Sequence, residues 1–583
     1  MYKYRKKIRN FVLALAVPAS MLTLTGCNDF LDTLPLNDVI LENYWTQKAD
    51  VQSVLNGCYE GLQSRESMYR MSVWGEMRSD NLTQGNLSGY MQKDKISTTD
   101  IQNIFKENIL PTNDMANWAI MYTTINRCNT VIHYAPQVQE VDPNYSIAEM
   151  KANIAEASFI RDLCYFYLIR AFRDVPVSFE PSIDDLADYR IAATPMNEAL
   201  DMLIADLESV KDDAVKRYVD DSSMSNASAT LNAYENSSRV TRVAIYALLA
   251  DLNLWRGNYD ETVKYADMVI DFKKDQYKQK KSNIGTMTDM TELYGIPLIL
   301  EKTDGSSTCG NAYTEIFGNG NSFESLFELY FKEGNNVKDS LVSFFYGNSN
   351  QSVGLYTAPS IHRKDVALGN CPLFSKNDCR AYEMMTATNA SRYTVRKYVN
   401  SSFTMKDPNN TAFSDEATLS PAYSTRGDEY ANWIIYRLTD VMLMKAEALT
   451  VKPDPDFETA FCMVNAVNKR ARDLVSPSAK DTLEFNDYNS REKMEQLVFD
   501  ERNRELMFEG KRWFDLVRRS LRDGNSQYLA SEATVKYEDN VNAIKIRLAD
   551  LNYLFFPYYK EELKVNPYLI QNSAYGNTEE FEK

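Results

Sequence analysis

Two histidines, His133 and His362, stand in a chain of 583 residues, so imidazole-based chemistry has almost nothing to work with. His133 lies in a helical pattern ahead of Pro136 and reads as a helix-end residue. His362 lies in a stretch without helical period, where a ligand contact is open to it. Neither has a second His with which to build a metal site or a nucleophile–base pair oriented by a third group. No HExxH, P-loop or GxSxG elbow occurs, and Gly318-x-Gly320 lacks the third glycine and the strand-to-helix setting of a dinucleotide site. Asp454-x-Asp456 is too short for a calcium loop and reads as a solvated turn. Beyond Cys27, the seven cysteines form no CxxC pair and no metal-type spacing. Cys128, Cys164 and Cys462 fall within helical apolar patterns and read as small buried hydrophobes. Cys371 and Cys379 are the pair best placed for a disulfide, if one forms.

Carboxylates are abundant, at 81 Asp+Glu, and glycoside hydrolysis needs only two at the right separation. A surface glycoside hydrolase therefore stays open as an alternative, with no pair singled out. The densest charged run spaces Asp500 and Arg504, and Glu505 and Glu509, four apart, with Arg512 three beyond Glu509. That spacing suits interaction along one helix face while Trp513 and Phe514 pack. Adjacent arginines lower carboxylate pKa values, the reverse of what a general acid needs. No catalytic residue, metal or cofactor is expected.

Binding is what the residue types favour. Sugars offer apolar C–H faces beside hydroxyls, so a sugar site pairs an aromatic platform with Asn, Asp or Arg hydrogen bonds, a combination that also suits peptides. Two regions have it: Trp74 with Arg78, Asp80, Asn81 and Tyr90, and Tyr313 with Phe317 and Asn319. Trp74 reads equally well as a core residue, and Tyr90 and Tyr313 as rim residues. Nucleic acid is excluded as a partner by a formal charge of −17 and by the lack of any basic cluster after the first ten residues.

These loops need a scaffold, and amphipathic patterns supply one at both ends of the chain. Helices are predicted over Asp50 to Gln63, Asp114 to Ala135, Ser146 to Phe172, Met196 to Val215, Arg239 to Trp255 and Tyr259 to Phe272. Three more follow over Tyr430 to Leu449, Phe457 to Leu474 and Arg491 to Leu521. Ala250, Gly257-Asn258-Tyr259 and Ala266 give a small-residue and turn pattern like a 34-residue tetratricopeptide repeat, and Ala446-Glu447-Ala448 before Phe457 repeats it. One such pair cannot bury its face alone, so several must stack. The expected fold is mainly α, stacked tetratricopeptide-like helix pairs carrying a loop-rich, short-stranded insertion. Its parts are residues 27–272, with a ligand-loop region near 70–100, an insertion at 273–429, and a helical part at 430–583 that completes the scaffold.

Residues 1–26 read as a leader. Lys3, Arg5, Lys6, Lys7 and Arg9 precede an apolar stretch from Phe11 to Leu24, too short to span a membrane. Leu24-Thr25-Gly26-Cys27 resembles the lipobox at which bacterial lipoproteins are cleaved and acylated on Cys. Asn28-Asp29 resembles the surface-export signal of Bacteroidetes lipoproteins. Cleavage takes five basic and no acidic side chains, leaving 59 positive against 81 negative, a net of −22.

Motifs spread over the mature chain resemble the SusD/RagB family of nutrient-binding surface lipoproteins. They run from Cys27-Asn28-Asp29-Phe30-Leu31-Asp32 and Tyr44-Trp45-Thr46 through Glu156-Ala157-Ser158-Phe159-Ile160-Arg161 and Phe172-Arg173-Asp174-Val175-Pro176. Later come Tyr436-Arg437-Leu438-Thr439-Asp440-Val441, Asp500-Glu501-Arg502-Asn503-Arg504-Glu505-Leu506, and Glu509-Gly510-Lys511-Arg512-Trp513-Phe514. Phe556-Pro557-Tyr558-Tyr559 departs from the family's usual Pro-Ile-Pro. The resemblance implies a non-catalytic outer-membrane lipoprotein, anchored by lipid on Cys27 and exposed at the cell surface. Such a protein binds an oligosaccharide and delivers it to a SusC-type TonB-dependent transporter as its lid. A peptide-binding member of the same family is the alternative. The resemblance also places the ligand loops in about the two regions named above.

Overall fold

The structure, a computed structural model, describes residues 44–85, 97–183, 190–218, 234–284, 289–302, 308–331, 340–347, 354–362, 370–375, 378–389, 392–406, 422–426, 430–472 and 483–576. Cys27 and Tyr90 lie outside them. Helices dominate, as the periodicity predicts, and stack in pairs.

Helix Ile147–Phe172 forms the centre. It starts with a capping box, in which Ser146 Oγ accepts from Glu149 N at 3.2 Å and Glu149 Oε2 accepts from Ser146 N at 3.2 Å. From Ala155 to Phe172 every residue is buried, so this helix is enclosed on all sides. It packs against Ala119–Val141 and Met196–Val210. Helix Arg242–Arg256 ends at Gly257, whose φ of +85° gives the left-handed turn that a helix C-terminus needs. Helix Tyr259–Ile284 then folds back against it. A second hairpin, Leu438–Val451 with Phe457–Arg472, lies beside the first. Ala250, Ala266, Ala446, Ala448 and Ala460 have no exposure; their small side chains let the helices approach. Lys445 Nζ and Asp267 Oδ1 meet at 2.5 Å and Lys452 Nζ and Asp260 Oδ1 at 3.0 Å, so helices from both ends of the chain make one stack.

The intervening segment forms short strands. Thr83–Gln84 starts a four-stranded antiparallel sheet with Tyr356–Pro359, Arg392–Val395 and Met385–Asn389. Asn400–Lys406 is the middle strand between Ala422–Thr425 and Thr308–Cys309. Met290–Leu293 and Ile296–Ile299 form a hairpin. Ser325–Leu329 pairs with Trp433–Arg437, and both strands are buried along their whole length.

Several boundaries differ from the sequence reading. The helix predicted from Tyr430 begins at Leu438, because Trp433-Ile434-Ile435-Tyr436, aromatic and β-branched, has a strand partner in Ser325–Leu329. The helix predicted over Arg491 to Leu521 is two, Arg491–Leu506 and Arg512–Asp523. Phe508 and Gly510 adopt φ of +68° and +74° between them. Helix Tyr259–Ile284 runs past residue 272, so the start of the insertion falls inside a helix. The helix predicted from Asp114 starts at Ala119 and continues through Pro136 to Val141, which leaves His133 exposed within it and not at its end. The helix from Met196 stops at Val210. Cys371 and Cys379 are free thiols: Cys371 Sγ donates to the His362 carbonyl at 3.4 Å, and Cys379 shares a thiol hydrogen bond with Cys309.

Candidate ligand-binding site

The run after the first helices, expected to carry a sugar platform, is instead structural. Trp74 has no exposure; its indole N–H donates to the Met115 carbonyl at 2.8 Å and its ring meets Phe172 edge-on at 5.3 Å. Arg78 is enclosed too. It grips Glu107 through Nη2–Oε2 at 2.6 Å and Nε–Oε2 at 3.0 Å, donates to the carbonyls of Tyr553 and Leu554, and lies 4.3 Å from the Trp513 ring centroid. Asp80 receives Arg512 Nε at 2.9 Å and Nη2 at 3.1 Å, which holds its carboxyl below the usual range despite burial. Asn81 donates to Glu76 Oε1 at 2.9 Å. His362 is buried as well, with Nε2 2.9 Å from the Asp80 carbonyl oxygen, and burial lowers its pKa.

The second nominated group is braced in the same way. Tyr313 is 1% exposed and donates its hydroxyl to the Arg396 carbonyl at 2.8 Å. Phe317 lies edge-on to Tyr398 at 5.3 Å, with Lys397 Nζ 4.6 Å from its centroid. Among the nominated residues that are described, only Asn319 is exposed; its amide donates to Glu315 Oε1 at 3.2 Å. A stacking platform needs a face open to the ligand, and neither Trp74 nor Tyr313 has one.

Both groups converge on the turn between the two late helices. Glu76 lies under it, accepting from Phe508 N at 3.1 Å and Lys511 N at 3.0 Å. From the other side, Glu509 is held by Lys397 Nζ at 2.6 Å and Arg437 Nη2 at 2.7 Å. One turn N-terminal, Glu505 meets three guanidiniums: Arg437 Nη1 at 2.6 Å, Arg470 Nη2 at 2.5 Å and Arg380 Nη1 at 2.9 Å. The charged run therefore reaches across to other elements more than along its own face; Arg504 with Glu501 is a pair within it, at 2.8 Å. Burial raises all these carboxyl pKa values and the arginines outweigh it at Glu501, Glu505 and Glu509, while burial prevails at Asp500, which is raised. The sequence signal for this network was faint, since Arg380, Arg437 and Arg470 are far apart in the chain and only their apolar surroundings mark them.

One carboxylate pair is poised differently. Burial pushes Glu301 up to about 7, and its hydrogen-bonded neighbour Glu383 is raised well above the usual range by burial and by the charge of Glu301. Both are enclosed, at 5% and 4% exposure. Among the described residues no group of three or more His, Cys, Asp or Glu is arranged to hold a metal ion.

Open space lies elsewhere. A cavity of about 560 Å³ within the helical scaffold is lined by Trp255, Tyr259, Glu447, Arg518 and Arg522 among others. Arg518 Nε is matched there by Glu447 Oε1 at 2.8 Å. The loop region near residues 70–100 does meet the insertion, but at the strand Tyr356–Pro359, well beyond Tyr313, Phe317 and Asn319 in the chain. Thr83 pairs with Thr357 and Gln84 with Tyr356, and Gly85 N donates to the Leu355 carbonyl at 2.7 Å. A Cβ on Gly85 would sit 2.4 Å from the Gly354 oxygen, so glycine is what allows this contact.

Comparison with known proteins agrees with this architecture. SusD-like protein P38 of Formosa agariphila is 22% identical over 526 residues, covering 88% of this chain and 92% of the relative. SusD-like protein P2 of the same organism is 25% identical over 519 residues, covering 86% and 89%. A SusD superfamily protein from Bacteroides vulgatus superposes with a TM-score of 0.61 at 16% identity, covering 91% and 100%. The surface glycan-binding protein A of Bacteroides thetaiotaomicron, solved with laminarihexaose, does so at 0.58 and 18%, covering 90% and 100%. Both structural likenesses speak for the fold. A family described as starch-binding and associating with the outer membrane matches residues 29–254. The SusD family matches residues 273–575, more than half of the chain, and the protein belongs to it.

Proposed function

We propose that this protein is a surface lipoprotein that captures an oligosaccharide and passes it to a SusC-type TonB-dependent transporter, over which it acts as a lid, without breaking bonds itself. The observation that carries the reading is membership of the SusD family along almost the whole mature chain. The fold shared with a protein solved around laminarihexaose supports a glycan as cargo. We assign the ligand end to the surface beside the contact of Gly85 with Gly354, where the loop region near residues 70–100 adjoins the 273–429 insertion. The accessible surface needs no acid–base pair for such a role: Glu301 and Glu383 are enclosed, and Glu501, Glu505 and Glu509 are tied to arginines and lysine. Lipid on Cys27 would hold the protein at the outer membrane.

Isothermal titration of the mature chain against neutral glycans, laminarihexaose first, and against peptides of similar length tests the cargo. Binding of a glycan without hydrolysis on prolonged incubation is expected; binding of peptides alone overturns the glycan assignment, and released reducing sugar overturns the non-catalytic one. A pull-down from the native membrane that recovers no TonB-dependent transporter overturns the lid.

A further inference from the structure

We propose that the protein carries a second, separate saccharide site, specific for a sugar bearing an anionic group, in the cleft between helix Tyr259–Ile284 and the loop from Glu315 to Ser325. The cleft has a volume of about 290 Å³, near the lower end of the ~300–1,000 Å³ usual for ligand sites. It is large enough for one or two sugar rings and not for a folded partner.

Its charge sets it apart. Lys216, Arg217, Lys273 and Lys280 line it against one carboxylate, Glu315, in a chain whose formal charge is −17. The arginines of the larger cavity near Trp255 differ, since the carboxylates beside them already match their charge. In the cleft, Lys216 and Lys280 have no ion-pair partner among the described residues. Lys273 is spent on carbonyls, donating to Phe323 at 2.6 Å and Ser325 at 2.9 Å, which fixes the loop to the helix and leaves its positive charge in the wall. Arg217 lies 4.9 Å over the Phe272 ring. Focused positive potential in a concave, low-dielectric setting attracts an anion far more than the same charges spread on a convex surface.

The neutral groups suit a sugar. Ser237, Asn236 and Ser322 bring hydroxyl and amide groups to the lining. Two further lining residues, Thr241 and Gln276, hold buried oxygens that lack a hydrogen-bond partner in the described structure, and buried polar atoms are rarely left so. Carboxylate and sulfate ester present the same chemistry here, two or three acceptor oxygens with negative charge, so the site takes a uronate or a sulfated sugar.

The test is titration of the mature chain with hexagalacturonate, with a sulfated galactan hexasaccharide, with neutral laminarihexaose and with hexaglutamate, repeated on K216A/K280A. At least one acidic saccharide is expected to bind, weakening about tenfold or more as salt rises from low to high ionic strength. K216A/K280A should abolish that binding while melting temperature and laminarihexaose binding stay as in the native chain. The acidic sugar that binds identifies the anion. No binding by either acidic saccharide, unchanged binding in K216A/K280A, or equal binding of hexaglutamate overturns the proposal. Because the neutral glycan is read on the same samples, failure of this site is distinguishable from failure of the capture function.

Discussion

Glu505 shows what a single buried group does here. Three guanidiniums meet it, and although Arg380 keeps Asp378 and Glu501, Arg437 keeps Glu509 and Arg470 keeps Glu324, removing its charge leaves excess positive charge in a region closed to water. Glu505→Gln should lower stability by about 3–5 kcal/mol, the usual cost of breaking a buried charge network from one side, read as a fall in the urea midpoint. Glu505, Glu501 and Glu509 are held below the ordinary carboxylate range, and Asp515, gripped by Arg502 and Arg518, at about 2. A depressed native pKa gives stability that is complete above the unfolded value of ~4 and is lost as pH falls toward the native value. The protein should therefore hold its stability down to about pH 4–5 and lose it steeply below, and Glu505→Gln should make that acid limb shallower. Glu301 has the opposite sign. Its native pKa of about 7 lies above the unfolded value, so the native state binds the extra proton and stability declines as pH rises from about 4.5 to 7. Glu383 is raised as well and titrates with it, so Glu301→Gln should lessen that decline, with urea midpoints at pH 5 and pH 8 drawing closer; an unchanged gap between them would refute the assignment.

Between elements, the turn at Met507–Lys511 shows how a helix boundary is made by distant residues. Gly75 and Gly510 touch so closely that a Cβ on Gly75 would lie 1.8 Å from the Gly510 oxygen. Gly75→Ala must push the two backbones apart and displace Glu76 from the amides it caps. The expected loss is about 3 kcal/mol or more, seen as a lower melting temperature, while Gly295→Ala, whose Cβ would meet nothing within 4 Å, pays only for its positive φ of +74°. The same dependence on remote partners explains the elements that local pattern misses. Residues 433–437 have hydrophobic spacing that serves a helix or a strand, and the strand Ser325–Leu329, over a hundred residues earlier, decides between them. Periodicity alone also carried one predicted helix through residues 507–511, since Phe508 and Gly510 leave the apolar rhythm intact while turning the chain.

For the whole molecule, the stack of helix hairpins joins the two ends of the chain through Lys445–Asp267, Lys452–Asp260 and the Tyr436 hydroxyl on Asp251 at 2.9 Å. If Cys27 bears the lipid, Cys27→Ala should release the protein from the membrane fraction while its circular dichroism and melting temperature match those of the native chain, since no described contact involves that residue. Retention of Cys27→Ala in the membrane fraction would overturn the anchor.

The helical class, the pairing of helices around small alanines and the resemblance to the SusD family were all legible from local residue order, because helix periodicity and short motifs are written within one or two turns of chain. Which polar and aromatic residues face solvent was not. Trp74, Arg78, Asp80 and Tyr313 have the composition of a ligand surface, yet partners as far away as Arg512 and Tyr553 draw them inside. The cationic cleft is likewise assembled from Lys216, Lys280 and Glu315, which nothing in their own neighbourhoods marks as a set. Burial and charge pairing depend on distances in space between groups hundreds of residues apart, and only the folded chain establishes those.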